Sequence, residues 1–367
     1  MSIQGVLMKN ISTNELLPGM VLATDVTTPN QNKIALKGTI ISSKDIAKFV
    51  FYSIKEVAVE DTEVDETLSE LPPSDELTSS QRLRQTQEFK TFKNDFEICA
   101  QKYENDIKQL IAGNAEVDTN LMLEPVYALL KQGRTTSDVF SMLHLLRNYD
   151  DVTYTHCINV ALTTNILAQW LKWSDEEIKI ATLSGLFHDI GKITIPESII
   201  TKPGKLTDAE YTIVKTHPQR GYDALKDLDI SYHVKNAALM HHERFDGTGY
   251  PSGLSGPQID TYAKMVAITD VYDAMTSARH YRRPMCPFVV ISTFEEEAFR
   301  KYDPEMIMCF IQNIVHTYLL STVRLNTGEV GEIVFINKTY LSKPTIKIDN
   351  NYIDLSKCPG VFIEEIL

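Results

Sequence analysis

The sequence predicts a mainly α fold, a helical core with small β-rich segments at its amino- and carboxy-terminal ends. Three observations predict it. Apolar residues recur at helical spacing through the middle of the chain, with clear helix-start signals. Both ends alternate β-branched and polar residues between turn signals. The composition, 43% hydrophobic and 23% charged over 367 residues, is that of a folded globular protein rather than a disordered, collagenous or membrane chain. At roughly 150 residues per domain the length allows two or three domains.

In order, residues 1–60 carry short β-like runs broken at Pro18-Gly19, Pro29-Asn30 and Gly38, then a helix after Ser43, and are expected to form a small β-rich domain. Residues 61–80 combine acids with Pro72, Pro73 and a Ser/Thr cluster, too polar to pack a core, and read as an acidic linker. From 81 to 148 apolar residues at Phe89, Phe92, Phe96, Leu121, Leu123, Val126, Leu129 and Leu130 mark long helices, with Gly113 and Gly133 as breaks. Capping boxes at Ser174 to Glu177 and Thr207 to Glu210 start two more helices inside a 149–320 domain. Residues 321–367 return to strand alternation, with turns near Asn326 to Gly328, Asn337-Lys338 and Asp349 to Asn351, as in a small antiparallel sheet.

Charge narrows the partners. Lys and Arg number 36 against 49 Asp and Glu, a net of -13, which disfavours coating duplex nucleic acid. Nine of the acids lie between Lys55 and Arg82, where no basic residue stands, so the excess is local and a small anionic ligand stays open. The five cysteines are scattered without a Cys-x-x-Cys pair, which suits a reducing compartment and argues against a disulfide framework. No leader-like amino terminus and no membrane-length apolar run is evident, so a cytoplasmic location is expected.

Of nine histidines, five stand in acid-rich company: His156, His188 next to Asp189, His217, and the pair His241-His242, followed by Asp270. His144, His233, His280 and His316 lack such company and read as ordinary core or surface residues. Imidazole and carboxylate suit borderline divalent metals, and one carboxylate can bridge two ions roughly 3.5 to 4 Å apart. The absence of cysteine from the set argues against a closed structural zinc site and for iron or manganese with open positions. The run Glu176 to Phe187 is apolar at helical spacing, so it should deliver His188 and Asp189 into a buried place where only pairing or metal makes them tolerable. Lys192, just beyond Gly191, adds a cation that can clamp a phosphate or assist a leaving oxygen.

With these residues in place, the sequence resembles the HD-domain metal phosphohydrolases, and within them the HD-GYP cyclic-di-GMP phosphodiesterases of bacterial second-messenger signalling. The resemblance rests on His188-Asp189-Ile190-Gly191-Lys192, Lys202-Pro203-Gly204-Lys205-Leu206-Thr207 leading to His217-Pro218, His241-His242-Glu243-Arg244-Phe245-Asp246-Gly247-Thr248-Gly249-Tyr250-Pro251, Asp270 to Ser277, and Arg279-His280-Tyr281-Arg282. It covers roughly residues 150–315. Leu16 to Ala23 and the strands at Val323 to Val334 resemble segments that flank this family.

The resemblance implies an HD-type helical core in which His156, His188, Asp189 and Asp270 hold one metal, and His217, His241 and His242 a second, with Asp189 as the bridge. It implies a dinuclear centre, because the position of a third-metal glutamate in some members is Val152 here, with Asp150 and Asp151 beside it. A metal-bridging hydroxide would attack the phosphodiester, with Asp189 and Lys192 at the chemistry, and cyclic-di-GMP would yield linear pGpG, GMP or both. Lys192, Arg279 and Arg282 would meet phosphate, for which guanidinium geometry is suited. Tyr250 offers a ring for guanine, and the Gly249-Tyr250-Pro251 loop a contact for diguanylate cyclase or another signalling protein; a homodimer is a further expectation. The competing readings are a phosphodiesterase for another cyclic dinucleotide such as cyclic GMP-AMP, and a catalytically weak sensor or scaffold, for which a lost metal ligand would be the mark.

Overall fold

The computed structural model describes residues 8–28, 33–52, 54–60, 78–113, 118–131, 135–146, 153–202, 204, 206–278 and 284–367. Several expectations fall on positions outside these: the Pro29-Asn30 break, most of the acidic linker, the break at Gly133, His280, and the basic pair Arg279 and Arg282. The third-metal position Val152 and its neighbours Asp150 and Asp151 lie outside them as well.

At the amino-terminal end come β1 (Met8–Ser12), β2 (Val26–Thr27), β3 (Lys33–Ala35), α1 (Ser43–Phe51) and β4 (Glu56–Glu60). β1 pairs antiparallel with β4 and β2 with β3. Helix α1 starts where expected, at a capping box: the Asp45 N–H donates to Ser42 Oγ at 3.2 Å, and the Ser42 N–H donates to the Asp45 carboxylate at 2.9 Å. Its apolar face, Ile46, Ala47 and Phe49, is buried.

The helical core runs α2 (Ser79–Gln85), α3 (Gln87–Ile111), α4 (Thr119–Lys131), α5 (Thr136–Leu146), α6 (Thr153–Trp170), α7 (Asp175–Phe187), α8 (Glu197–Ile200), α9 (Asp208–Val214), α10 (His217–Leu225), α11 (Tyr232–Met240), α12 (Thr261–Thr276), α13 (Pro287–Lys301) and α14 (Pro304–Ile314). Helix α2 begins inside the stretch read as linker, because Thr78 and Gln81 make a capping box and Ser79 and Ser80 hydrogen-bond to the chain end at Leu367. Gly113, in the left-handed region at φ 72°, closes α3 as expected. Of the apolar stripe on α4, Leu123, Val126 and Leu129 are buried while Leu121 points to solvent, so the buried face is narrower than the run of leucines suggests.

Helix α6 is buried on every side from His156 to Ala168, as is the second half of α7. A helix enclosed all round belongs at the centre of its domain. The two pack so closely that a Cβ at Gly185 would stand 2.8 Å from Ala161 Cα, a contact only glycine allows. Tyr103 on α3 donates its hydroxyl to the Leu186 carbonyl, tying the long outer helix to the end of α7.

The chain ends in a five-stranded antiparallel sheet, β5 (Thr322–Leu325), β6 (Val330–Phe335), β7 (Thr345–Ile348), β8 (Asn351–Asp354) and β9 (Ile363–Ile366), in the order β8-β7-β6-β5-β9. Val323, Leu325, Ile333, Ile346 and Ile363 turn inward onto the helical core. The mainly α architecture with small strand-rich ends is thus as the sequence predicts.

Candidate metal centre

Five local structures converge on one buried point. Helix α6 supplies His156 from its first turn and α12 supplies Asp270 from its middle. Helix α7 ends at Phe187 with His188 as its C-cap, and Asp189 then leaves helical geometry at φ -102°, ψ 10° to start the 3-10 turn Ile190–Thr194. Gly191 in that turn lies against the first residue of α10: a Cβ there would overlap the His217 carbonyl. Pro218, whose missing N–H costs nothing at a helix start, follows His217 into α10. His241 and His242 close α11.

The ring nitrogens and carboxylate oxygens form two groups around one aspartate. Asp189 Oδ1 faces His217 Nε2 at 3.3 Å and His241 Nε2 at 3.7 Å. Asp189 Oδ2 faces His188 Nε2 at 3.3 Å and His156 Nε2 at 3.7 Å. Asp270 Oδ1 completes the second group, 3.1 Å from His156 Nε2 and 3.9 Å from His188 Nε2. Two sets suited to a metal ion result, Asp189 with His217, His241 and His242, and Asp189 with His156 and His188. All seven residues named from the sequence as ligands meet here, with Asp189 between the sets.

Nδ1 contacts orient the rings. His188 Nδ1 faces the Gly185 carbonyl at 2.7 Å, His217 Nδ1 the Val214 carbonyl at 2.7 Å, and His241 Nδ1 the Ala238 carbonyl at 3.0 Å. A carbonyl only accepts, so each of these nitrogens carries the proton and each Nε2 is left with a lone pair aimed inward. His156 Nδ1 faces the Asp273 carboxylate at 2.8 Å, and Ser277 Oγ donates to the same carboxylate at 3.1 Å. His188 Nε2 and Asp189 Oδ1 are buried without a hydrogen-bond partner. Such orphaned groups are costly in a protein interior, and a divalent cation in each set would satisfy one of them. The donor set therefore fits metal ions of the nitrogen- and oxygen-loving kind.

Protonation follows the same division. Burial drives the His217 ring down to about 4 and the His241 ring down to about 3, so both are neutral ligands at neutral pH. Burial also opposes a charge on His156, yet Asp270 and Asp273 on either side outweigh it and hold that ring up at about 9. Asp189 is fully enclosed, which alone would raise its pKa, and Lys192 and His188 pull it well below the usual carboxylate range. The Lys192 ammonium is hydrogen-bonded to Asp189 Oδ2.

The Gly249-Tyr250-Pro251 loop folds back over the centre. A side chain at Gly249 would overlap the backbone of His242 to Arg244, so the loop can lie this close only with glycine there. The Tyr250 ring stacks on His242, centroids 4.7 Å apart and planes 26° apart. Glu243 is buried at 2% exposure, and its carboxylate accepts the Ser252 N–H at 2.7 Å and the Leu254 N–H at 2.9 Å, pinning the loop. Arg279 and Arg282 stand outside the described residues, so their expected phosphate contacts are not placed.

Two residues that position this site were not singled out from sequence. Asp273 stands one helical turn after Asp270, a spacing that puts both on one face of α12, and that spacing was the available signal. Glu243 directly follows the histidine pair, but nothing in the sequence says that it turns inward. Of the histidines set aside as ordinary, His233 is held by Asp260 at 2.8 Å, beside the start of α12 and away from the centre.

Residues 139–306 match the HD domain family, in keeping with the HD-type helical core expected from the sequence. Among curated relatives, the chain is 38% identical over 204 residues to a cyclic di-GMP phosphodiesterase of Pseudomonas aeruginosa, covering 55% of this chain and 49% of that protein. It is 34% identical over 216 residues to a cyclic di-GMP phosphodiesterase of Vibrio cholerae, covering 54% and 44%. It is also 34% identical over 202 residues to a 3'3'-cGAMP-specific phosphodiesterase of the same bacterium, covering 54% and 47%. The chain thus spans about half the length of the curated relatives it matches.

Proposed function

We propose that this chain is a metal-dependent phosphodiesterase of cyclic dinucleotides, with cyclic-di-GMP as its substrate and linear pGpG, GMP or both as products. The observation that carries this reading is the single buried carboxylate, Asp189, shared by two candidate ligand sets, with the Nε2 atoms of His188, His217 and His241 turned inward. Two divalent ions held there would acidify a water and neutralise charge building on a phosphoryl oxygen. The chain's own residues do the rest. His188, His217 and His241 present fixed Nε2 atoms, Asp273 orients His156, and Lys192 stays beside Asp189 as a cation. The names of the relatives support the substrate class.

Iron or manganese is our choice of ion, because the ligand set is imidazole and carboxylate without thiolate. A cytoplasmic setting is supported by five free cysteines, of which Cys99, Cys157 and Cys286 are buried. Among the described residues no helix is long and apolar enough to cross a membrane. We propose the β-rich ends, 1–60 and 321–367, as accessory segments, and the Gly249-Pro251 loop as the surface for a signalling partner such as diguanylate cyclase, with a homodimer as the assembly.

One relative's name favours a second substrate, 3'3'-cGAMP. The test is turnover of both dinucleotides by protein loaded anaerobically with iron or with manganese. Hydrolysis of cyclic-di-GMP at the higher kcat/KM is expected. Folded, metal-loaded protein that turns over neither compound sinks the proposal, and a preference for the hybrid dinucleotide moves it to the second substrate.

A further inference from the structure

Among the described residues, a cation beside the Gly249-Tyr250-Pro251 loop is Lys215, two residues before His217 and just after α9. Its side chain is half-buried, and its Nζ lies 4.6 Å from the Tyr250 ring centroid and 5.9 Å from that of Tyr211. Tyr250 already rests one face on His242, so the ammonium takes the opposite one. The order from the centre outward is metal ligand, tyrosine ring, ammonium.

The company of that ammonium matters because acids are abundant in this chain. Lys55 pairs with Asp208, Lys192 with Asp189, and Lys202 with Glu210. Among the described residues no carboxylate pairs with Lys215, whose recorded contacts are two aromatic faces. Ring faces hold an ammonium weakly and leave its N–H donors available to a stronger acceptor. Phosphate is such an acceptor, since charge-assisted hydrogen bonds are about twice as strong as neutral ones. Lys192 is already turned to Asp189, so it does not reach outward in the same way.

We propose that Lys215 is a substrate-contacting residue that takes the phosphate of a cyclic dinucleotide not undergoing attack, with Tyr250 holding it in place between the dinucleotide and His242. This rests on the proposed function. A cyclic dinucleotide carries two phosphates, and with one at the metal centre the other needs its own cation at the mouth. The arrangement also gives Tyr250 a positioning role: a guanine base stacks on its ring only by displacing Lys215.

The experiment compares wild type with Lys215→Met, which keeps the stem and removes the charge, and with Lys215→Arg, which restores it. Steady-state kinetics on the metal-loaded full chain are paired with calorimetric binding of cyclic-di-GMP to chelator-treated protein. Lys215→Met is expected to raise KM and the dissociation constant by about tenfold to a hundredfold, as for a lost hydrogen bond to a charged group. Its kcat should stay within about twofold, its metal content at the wild-type level, and Lys215→Arg should recover most of the affinity. If wild type hydrolyses the dinucleotide and Lys215→Met keeps its KM and binding, the inference is overturned and the phosphodiesterase reading stands. If wild type binds without hydrolysis, that reading falls, and the ratio of affinities still decides for or against Lys215. Wild type that neither binds nor hydrolyses overturns both.

Discussion

The two halves of the candidate metal centre are built from different chemistry around the same aspartate. On one side His156 and His188 stand with Asp270 and, behind His156, Asp273: three carboxylates, counting Asp189, face two rings. On the other, His217, His241 and His242 share Asp189 alone, and two of those rings are oriented by backbone carbonyls. The acid-rich side keeps a ring protonated to about 9 when no cation is present, while burial keeps its neighbours neutral down to about 4 and about 3. The acid-rich half asks for positive charge, and the imidazole-rich half offers lone pairs already free. The difference teaches that one shared carboxylate can join a cluster governed by charge to a cluster governed by ring orientation.

Removing the bridge should collapse the distinction and have the largest effect. Asp189→Ala is expected to lose both metals, with activity down by on the order of a thousandfold or more, since the ions supply several kcal/mol of the catalysis. Elemental analysis after gel filtration reads the metals, and two ions retained would show that the halves are independent of Asp189. Next in size, His156→Ala and His241→Ala should each lower the stoichiometry from two ions to one, in opposite halves. Loss of both ions in either variant would mean that the halves do not load separately.

A smaller change tests the carboxylate behind the ring. Asp273→Asn keeps shape and removes charge, and metal affinity should weaken by about tenfold to a hundredfold in the His156 half alone, the usual cost of losing a partner behind a ligand. Competition titration with a chromophoric chelator resolves the two affinities; equal weakening of both sites would deny the division.

The gentlest test is pH on chelator-treated protein. The pKa values of His217 and His241 are lower folded than unfolded, so the unfolded chain binds more protons and stability falls as pH drops from about 6.5 toward 4. His156 is shifted the other way, so its contribution is fully present below about 6.5 and is lost as pH rises through about 9. Denaturant midpoints measured across that range should peak between the two limbs. His156→Gln should flatten the alkaline limb only, and an unchanged alkaline limb in that variant would place the proton elsewhere.

The candidate ligand cluster was legible because chemistry leaves few alternatives for a histidine pair and a His-Asp dipeptide at the end of an apolar helix. Seven such residues, His156 to Asp270, are brought together by the fold. Helix starts at Ser174 and Thr207 were equally legible, since a capping box is a local contract between residues three apart. What sequence did not show depends on distant partners. Glu243 looks like any acid until its carboxylate meets the backbone of Ser252 and Leu254. Tyr250 gives no sign of its ring partner until the loop lays it on His242. The docking of the amino-terminal segment is of the same kind: Lys48 and Tyr52 meet Glu297, and the Lys301 ammonium sits 4.5 Å and 4.0 Å from the Phe51 and Tyr52 ring centroids. Such contacts join residues some 250 positions apart, beyond any local periodicity.

The most direct test of the shared aspartate is anomalous diffraction from crystals of the metal-loaded protein. Two scatterers about 3.5 to 4 Å apart, one on each oxygen of Asp189, are the expected result. A single scatterer, or two that do not share Asp189, would contradict the account.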